Sequence, residues 1–443
     1  MKTKVRYLKA DRQQPRWDIV DLESQLPADH RARIAWLFVQ GLDLSGIYAK
    51  IRAQEHVAGR PPPDPAVLLS LWLYGTLEGV GSARQLARLC ERDTAYRWIC
   101  GGVPVNYHGL SDFRVDHAEV LDQLLTDSVT ALLSQGVVTL EEIAVDGTKV
   151  QASAGKGSFR RAARLAAFAA AAKERVAQLK GETGGDPGAG DRRRRAAAVR
   201  AVESIEKRAA EALAVIEELR KEKAKREKTH KKEEEKKGEP RASLTDPEAR
   251  RMRFADGAVR AGYNVQLAAL PGSGVIVGVD VSDRRNDDGL ARPMVEQIER
   301  RYRLRPRRLL VDTRYATQAD IQALSQATDG SDGSDRIEVY SPPPPEKEDA
   351  TPESRRKRRY RRAREPQGVA AWRARMAAPE SREIYRRRNW IETMNGILKA
   401  RTLRVMHVRS MIKVRCVVLL NALAHNLWRA HRMAAAAPVT ATA

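Results

Sequence analysis

Apolar residues recur along this chain with two periods, and the change from one to the other divides it. Up to about residue 135 the spacing is helical. Pro61 to Pro63 and Asp64-Pro65 form a stiff lead-in to a helix over 66–77 that carries Val67, Leu68, Leu71 and Leu73, with glycines at 75, 79 and 81. Ser82 can cap a helix bearing Leu86 and Leu89; after a polar turn at Glu91-Arg92, Asp93 can cap another bearing Tyr96, Trp98 and Ile99. Two short helices so joined fit either a helix-turn-helix DNA reader or an ordinary packed pair.

At residues 140–150 the pattern becomes that of a strand: Ile143, Ala144 and Val145 run into Asp146-Gly147-Thr148, which sets a carboxylate where strand gives way to turn. Helical spacing then returns. Leu165, Phe168, Ala172, Val176 and Leu179 make one stripe, residues 181–190 are glycine-rich, and Val199, Val202, Ile205, Ala209, Leu213, Ile216 and Leu219 make a second. This predicts an antiparallel helical hairpin whose charged tail, 220–237, stays solvated or frays.

Residues 263–270 and 275–281 read as two strands joined by the turn Pro271-Gly272-Ser273-Gly274. A helix over 290–302, a short buried strand over 308–311 ending in Asp312, a helix over 317–326 and a strand over 336–340 follow. Residues 341–364, led by prolines and crowded with arginine, read as an exposed connector.

Composition narrows the function. The 443 residues hold 80 Lys+Arg against 57 Asp+Glu, a net charge of +23, and only three cysteines. The length suits two or three domains. Cys90, Cys100 and Cys416 are odd in number and widely spaced, which fits neither a disulfide scaffold nor a structural zinc site. The charged N-terminus lacks the apolar core of a secretory leader. The longest apolar run, 416–428, is 13 residues and holds Asn421 and His425, too short to span a bilayer. The positive charge points to a polyanionic partner, nucleic acid before a membrane surface.

Residues 381–401 carry the sharpest chemical signal. At about 100° per residue, Tyr385, Arg388, Glu392 and Lys399 fall within a stripe of roughly 60° on one helix. Trp390, Ile391, Met394, Ile397 and Leu398 centre on the opposite side, so the helix can bury them and present Arg388, Glu392 and Lys399 to a cleft. The order of elements brings Asp146, Asp312 and Glu392 to one sheet. Three carboxylates can hold two Mg²⁺ or Mn²⁺ ions, which suit in-line displacement at a phosphodiester.

Here the chain resembles the DDE transposases of bacterial insertion sequences, in the group whose third acid lies in a Tyr-x2-Arg-x3-Glu-x6-Lys signature. That signature is complete from Tyr385 through Arg388 and Glu392 to Lys399; the first acid stands in Ala144-Val145-Asp146-Gly147-Thr148-Lys149 and the second in Leu310-Val311-Asp312-Thr313-Arg314-Tyr315. Many relatives have glycine where Arg314 stands. The resemblance extends from about residue 59 to about Lys399.

It implies a ribonuclease-H-like α/β catalytic domain, a mixed sheet flanked by helices, that cleaves transposon ends with Mg²⁺ (or Mn²⁺) and joins the 3′-hydroxyl to target DNA. Asp146, Asp312 and Glu392 would be catalytic metal ligands, Arg388 and Lys399 phosphate contacts, and Tyr385 a neighbour of the DNA. The expected organisation is a helical DNA-binding region (1–135), a catalytic domain (136–154 and 241–404), an inserted hairpin (155–240), and a C-terminal helix and tail (405–443). The expected partner is double-stranded DNA, bound by a homodimer in the cytoplasm at the nucleoid, with no membrane.

Other residues compete for these roles. Asp280, Asp283, Asp287 and Asp288 crowd the end of the 275–281 strand, but Asp280 would fall in the third strand, whereas this fold puts its second acid after the fourth. The four are expected to solvate a turn or cap the next helix. His407 and His425 are expected to pack, and Trp372 either to cover a core edge or to stack on an extruded base. Two other classes stay open: a catalytically inactive transposase-derived DNA-binding protein, and a scaffold whose basic segments hold RNA or lipid without sequence preference.

Overall fold

The computed structural model describes residues 21–51, 53, 61–181, 189–235, 238–326, 336–344 and 351–436. The reversal at 182–188, the end of the charged tail at 236–237, part of the connector at 345–350 and the tail from 437 lie outside the described residues.

Among the described residues, eight strands carry the architecture: β1 (Glu142–Gln151), β2 (Phe159–Arg160), β3 (Ala242–Ser243), β4 (Arg250–Arg253), β5 (Val259–Ala269), β6 (Ile276–Ser282), β7 (Arg308–Leu310) and β8 (Glu338–Tyr340). β1 lies at the centre of the main sheet. It pairs antiparallel with β5 on one side, Ala144 opposite Ala269 through Gln151 opposite Gly262, and parallel with β7 on the other, Ala144 opposite Leu310. β8 continues the parallel half. On the far edge of β5, β4 covers its first four residues and β6 takes over from Asn264. An antiparallel part made of β1, β5, β6 and the short β4, followed by the two parallel strands β7 and β8, with flanking helices, forms a ribonuclease-H-like mixed sheet.

Between β1 and β4 the chain leaves the sheet as helices Ala162–Gly181 and Ala189–Glu235. β2 and β3 pair antiparallel at their base, where the Ser158 and Ser243 hydroxyls lie 2.8 Å apart. Leu165, Ala212, Ile216 and Ala242 form a small core of their own, so the hairpin packs on itself rather than on the sheet.

Helix Pro65–Leu77 is buried over its whole length, because an almost continuous apolar sequence leaves it no solvent face. Asp64 caps it by accepting from Ala66 N at 2.8 Å, with Pro65 in the first turn, where its missing N–H costs nothing. The two helices expected after Ser82 form as Ala83–Arg92 and Thr94–Cys100, the second capped by Asp93. The expected turn at Glu91-Arg92 is absorbed into the first helix, leaving Asp93 alone between them.

Helix Met411–Ala436 joins this helical region to the sheet by packing on β6, helix Ala118–Ser134 and helix Pro65–Leu77. Asn426 acts there as a sheet neighbour: its Oδ1 accepts from Ile276 N at 2.7 Å and its Nδ2 donates to Ile276 O at 2.7 Å. Among the described residues no helix is long and apolar enough to cross a membrane.

Part of the expected connector is ordered, as helix Pro352–Ala363. Its arginines are good helix formers despite their charge. Thr351 and Ser354 supply the start, with Ser354 N donating to Thr351 Oγ1 at 3.2 Å.

Candidate active site

Ile143, Ala144 and Val145 are almost fully buried, and Asp146 is where β1 first opens to solvent. The parallel rungs between β1 and β7 end at Ala144 opposite Leu310; two residues further, each strand reaches its acid, Asp146 or Asp312. Equal spacing past the same rung brings both to one end of the sheet, on one face. Asp312 is exposed, with Oδ1 accepting from Thr313 N at 2.8 Å; its carbonyl accepts from Ser341 Oγ at 2.9 Å, tying the end of β7 to the chain after β8.

The stretch expected as one helix over 381–401 is two. Glu380–Arg386 and Asn389–Leu398 are separated at Arg387-Arg388, where Arg388 N bonds Tyr385 O and Ile391 N bonds Arg388 O. A π-helical turn, Lys399–Leu403, follows. Ile391, Met394 and Leu398 are buried as the wheel required. Trp390 and Ile397 are exposed instead: the break re-aims the helix, and Arg429 lies over the Trp390 ring at 5.3 Å.

The break sends Arg388 inward. Expected to face a cleft and reach phosphate, it is only 7% exposed. Its Nη1 meets Glu392 Oε1 at 2.7 Å and its Nη2 meets Asp146 Oδ1 at 3.1 Å, so one guanidinium joins carboxylates from β1 and the last helix of the site. Asn395 Nδ2 donates to the other Asp146 oxygen at 2.9 Å.

Electrostatics record the crowding. Burial raises the Asp146 pKa, Asp287 and Glu392 push the same way, and Arg388 and Asn395 oppose it. Burial works against the Arg388 charge, but Asp146, Tyr385, Glu392 and Asp312 together outweigh it and raise its pKa. Tyr385 is raised by burial and by Asp312, Glu392 and Asp146. Lys399 is lowered by burial and by Lys149, against the pull of Asp146. All six expected residues therefore share one electrostatic neighbourhood, although only Asp146, Arg388 and Glu392 are joined directly. Among the described residues no three His, Cys, Asp or Glu side chains converge as a metal-holding group. The positive charge between Asp146 and Glu392 is Arg388.

Asp287 has a place that the sequence reading did not give it. Rather than capping the helix after Leu290, it folds back over β1: its Oδ1 accepts from Asn264 Nδ2 at 2.7 Å and Gln266 Nε2 at 2.8 Å. Gln266 also accepts from the buried Tyr315 hydroxyl. A Cβ on Gly147 would lie 2.1 Å from Asp287 Oδ1, so only glycine fits beneath it. Of the other acids, Asp283 pairs with Arg250 at 2.6 Å, Asp288 accepts from Asn286, and Asp280 lies in β6, which is the fourth strand of the main sheet in chain order rather than the expected third, because the short β4 precedes β5.

Asn395 was also missed, although a signal existed: seven residues from Arg388, it shares the same stripe. His425 packs, with Nε2 2.9 Å from Gly274 O, and Trp372 covers the core edge by donating to Ser341 O at 3.0 Å.

Residues 216–427 match the family model described as a transposase DDE domain, and residues 20–116 match one described as a transposase domain (DUF772). The first span takes in Asp312 and Glu392 and begins after Asp146. No curated protein and no solved structure matches the chain.

Proposed function

Because the chain belongs to the DDE transposases of insertion sequences, whose work is DNA cleavage and strand transfer, we propose that it cuts transposon ends with a divalent metal and joins the freed 3′-hydroxyl to target DNA. The observation that carries this reading is the guanidinium of Arg388 drawing together Asp146 and Glu392, 246 positions apart, beside Asp312. Asp146, the one largely buried member of the three, is costly to ionise in the fold unless a cation lies beside it.

The donor set fits Mg²⁺ or Mn²⁺, since carboxylate oxygens are the hard ligands these ions take. Asp146, Asp312 and Glu392 would hold them; when bound, the metal activates the attacking oxygen and stabilises the leaving one. The remaining roles belong to the protein. Arg388, bound at both ends, positions two carboxylates rather than contacting phosphate. Asn395 fixes the second Asp146 oxygen. Lys399, whose charge burial disfavours, stabilises phosphate near the scissile bond, and Tyr385 packs beside the DNA. The DNA is held by a homodimer, one copy at each end.

A second reading draws on the same guanidinium. With Arg388 already bonded to both Asp146 and Glu392, a cation is present between these acids without a metal, as in a catalytically inactive DNA-binding derivative. The test is strand nicking of a duplex carrying the DNA that flanks the reading frame, with Mg²⁺ or Mn²⁺ and with a chelator. Metal-dependent nicking should vanish in Asp146→Ala, Asp312→Ala and Glu392→Gln while binding persists. DNA binding without nicking in any metal selects the inactive derivative.

A further inference from the structure

A cleft of about 750 Å³ opens between helix Ala189–Glu235 and the loop after β6. It lies within the size range of small-molecule pockets, ~300–1,000 Å³. Its walls are wrong for one: instead of apolar side chains they carry Lys223, Arg226, Arg241, Arg250, Arg284 and Arg285. The three acids in the same walls leave an excess of positive charge, and most are occupied. Asp283 pairs with Arg250 at 2.6 Å, Glu222 lies 3.8 Å from Arg226, and Asp288 accepts from Asn286 at 2.7 Å. Arg241 and Arg285 make no ion pair among the described residues. Partial burial in the cleft, then the like charges of Arg226, Arg250 and Arg251, lower the Arg285 pKa, with Glu222 opposing. Like charges gathered in a wide, open groove suit a ligand that brings several negative charges in a row.

The cleft is tied to the acids by one loop. Residues 283–286 and Asp288 line it, and the same loop folds Asp287 onto Gly147 beside Asp146. Arg250 on β4 is level with Gly262, which pairs with Gln151 of β1, five residues beyond Asp146 and two strands across. At 3.3 Å per residue and 4.8 Å per strand, that is roughly 20 Å from Asp146. With ~3.4 Å of duplex axis per base pair, that separation is about six base pairs.

We propose that this cleft holds the sugar-phosphate backbone of the DNA running past the scissile phosphate, with Arg226 and Arg285 as its phosphate contacts and the Arg250 wall about six base pairs away. The inserted hairpin then serves as one wall of the DNA path. The proposal rests on the transposase reading for the identity of the ligand.

The test uses the full chain and a labelled mixed-sequence duplex, with binding followed by fluorescence anisotropy across a salt series in chelator. Arg226→Gln combined with Arg285→Gln should lower the salt slope by about two and the affinity at 0.15 M salt by roughly 30-fold, from a slope of ~0.9 per phosphate contact. Replacing both by lysine should restore most of the binding. A charge-matched control, Arg164→Gln with Lys173→Gln on the other helix of the hairpin, should have a far smaller effect.

Unchanged affinity and slope in the cleft variant, or an equal loss in the control, overturns the proposal. Metal-dependent nicking is scored separately. A chain that never nicks DNA but loses binding in the cleft variant keeps the groove and loses the enzyme; the opposite outcome keeps the enzyme and loses the groove.

Discussion

Gly147→Ala puts one methyl group where Asp287 now sits. The added Cβ would be 2.1 Å from Asp287 Oδ1, 2.6 Å from its Cγ and 2.7 Å from Gln266 Nε2, and none of these separations is tolerable. β1 is the central strand and cannot retreat, so the Asp287 carboxylate must leave. It gives up hydrogen bonds from Asn264 and Gln266, each only 1% exposed. Asp287 regains water outside, but the two amides do not. At ~1–3 kcal/mol for each of the two orphaned buried groups, the loss should be about 2–6 kcal/mol, read as a shift of the urea unfolding midpoint. Asp287→Ala should cost a similar amount, because it strands the same amides. Adding Gly147→Ala to that background should then cost clearly less than it does alone, since the nearest obstacle is gone and only Gln266 Nε2, the end of a flexible side chain, is left to shift. Were Gly147→Ala to cost less than about 0.5 kcal/mol alone, or its full amount on top of Asp287→Ala, the packing of Asp287 over the strand would not be what demands glycine.

Two further outcomes follow from the same geometry. Burial raises the Asp146 pKa above the ordinary 3.8, so the folded chain keeps a proton that the unfolded chain has released, and stability falls as pH rises from 3.8 through the raised folded value. Asp146→Asn removes this titration. Its melting temperature relative to wild type should rise across that window and stay at or above wild type at neutral pH, while nicking is lost; a less stable variant at neutral pH would mean that the Arg388 ion pair outweighs burial. In the C-terminal helix, Asn426→Leu leaves the Ile276 N–H and C=O without partners and should cost about 2–4 kcal/mol in urea unfolding; a change under 1 kcal/mol would show that another group takes them up.

Much of the frame was legible because its signals are local. Ser82 and Asp93 begin their helices where capping chemistry puts them, and the continuous apolar run before Asp146 becomes a strand buried on both faces. The hairpin stripes also formed, since Leu165 and Ile216 bury one another together with Ala212 and Ala242. Residues 352–363 were misread as loop because charge was taken as a sign of solvation, when helix propensity in arginine is set by the side chain's stem.

At the site the division is sharper. The sequence alone determined where the candidate residues stand on their own elements: Asp146 in β1, Asp312 just past β7, and Arg388, Asn395 and Glu392 in a single helical stripe. Only the tertiary structure decided that the helix breaks before Asn389, that Arg388 turns inward between two carboxylates, and that Asp287 closes over Gly147. Periodicity fixes a side chain's direction relative to its own backbone, but which charge lies opposite depends on how strands and helices distant in the chain are brought together, and that is settled by burying the whole core at once.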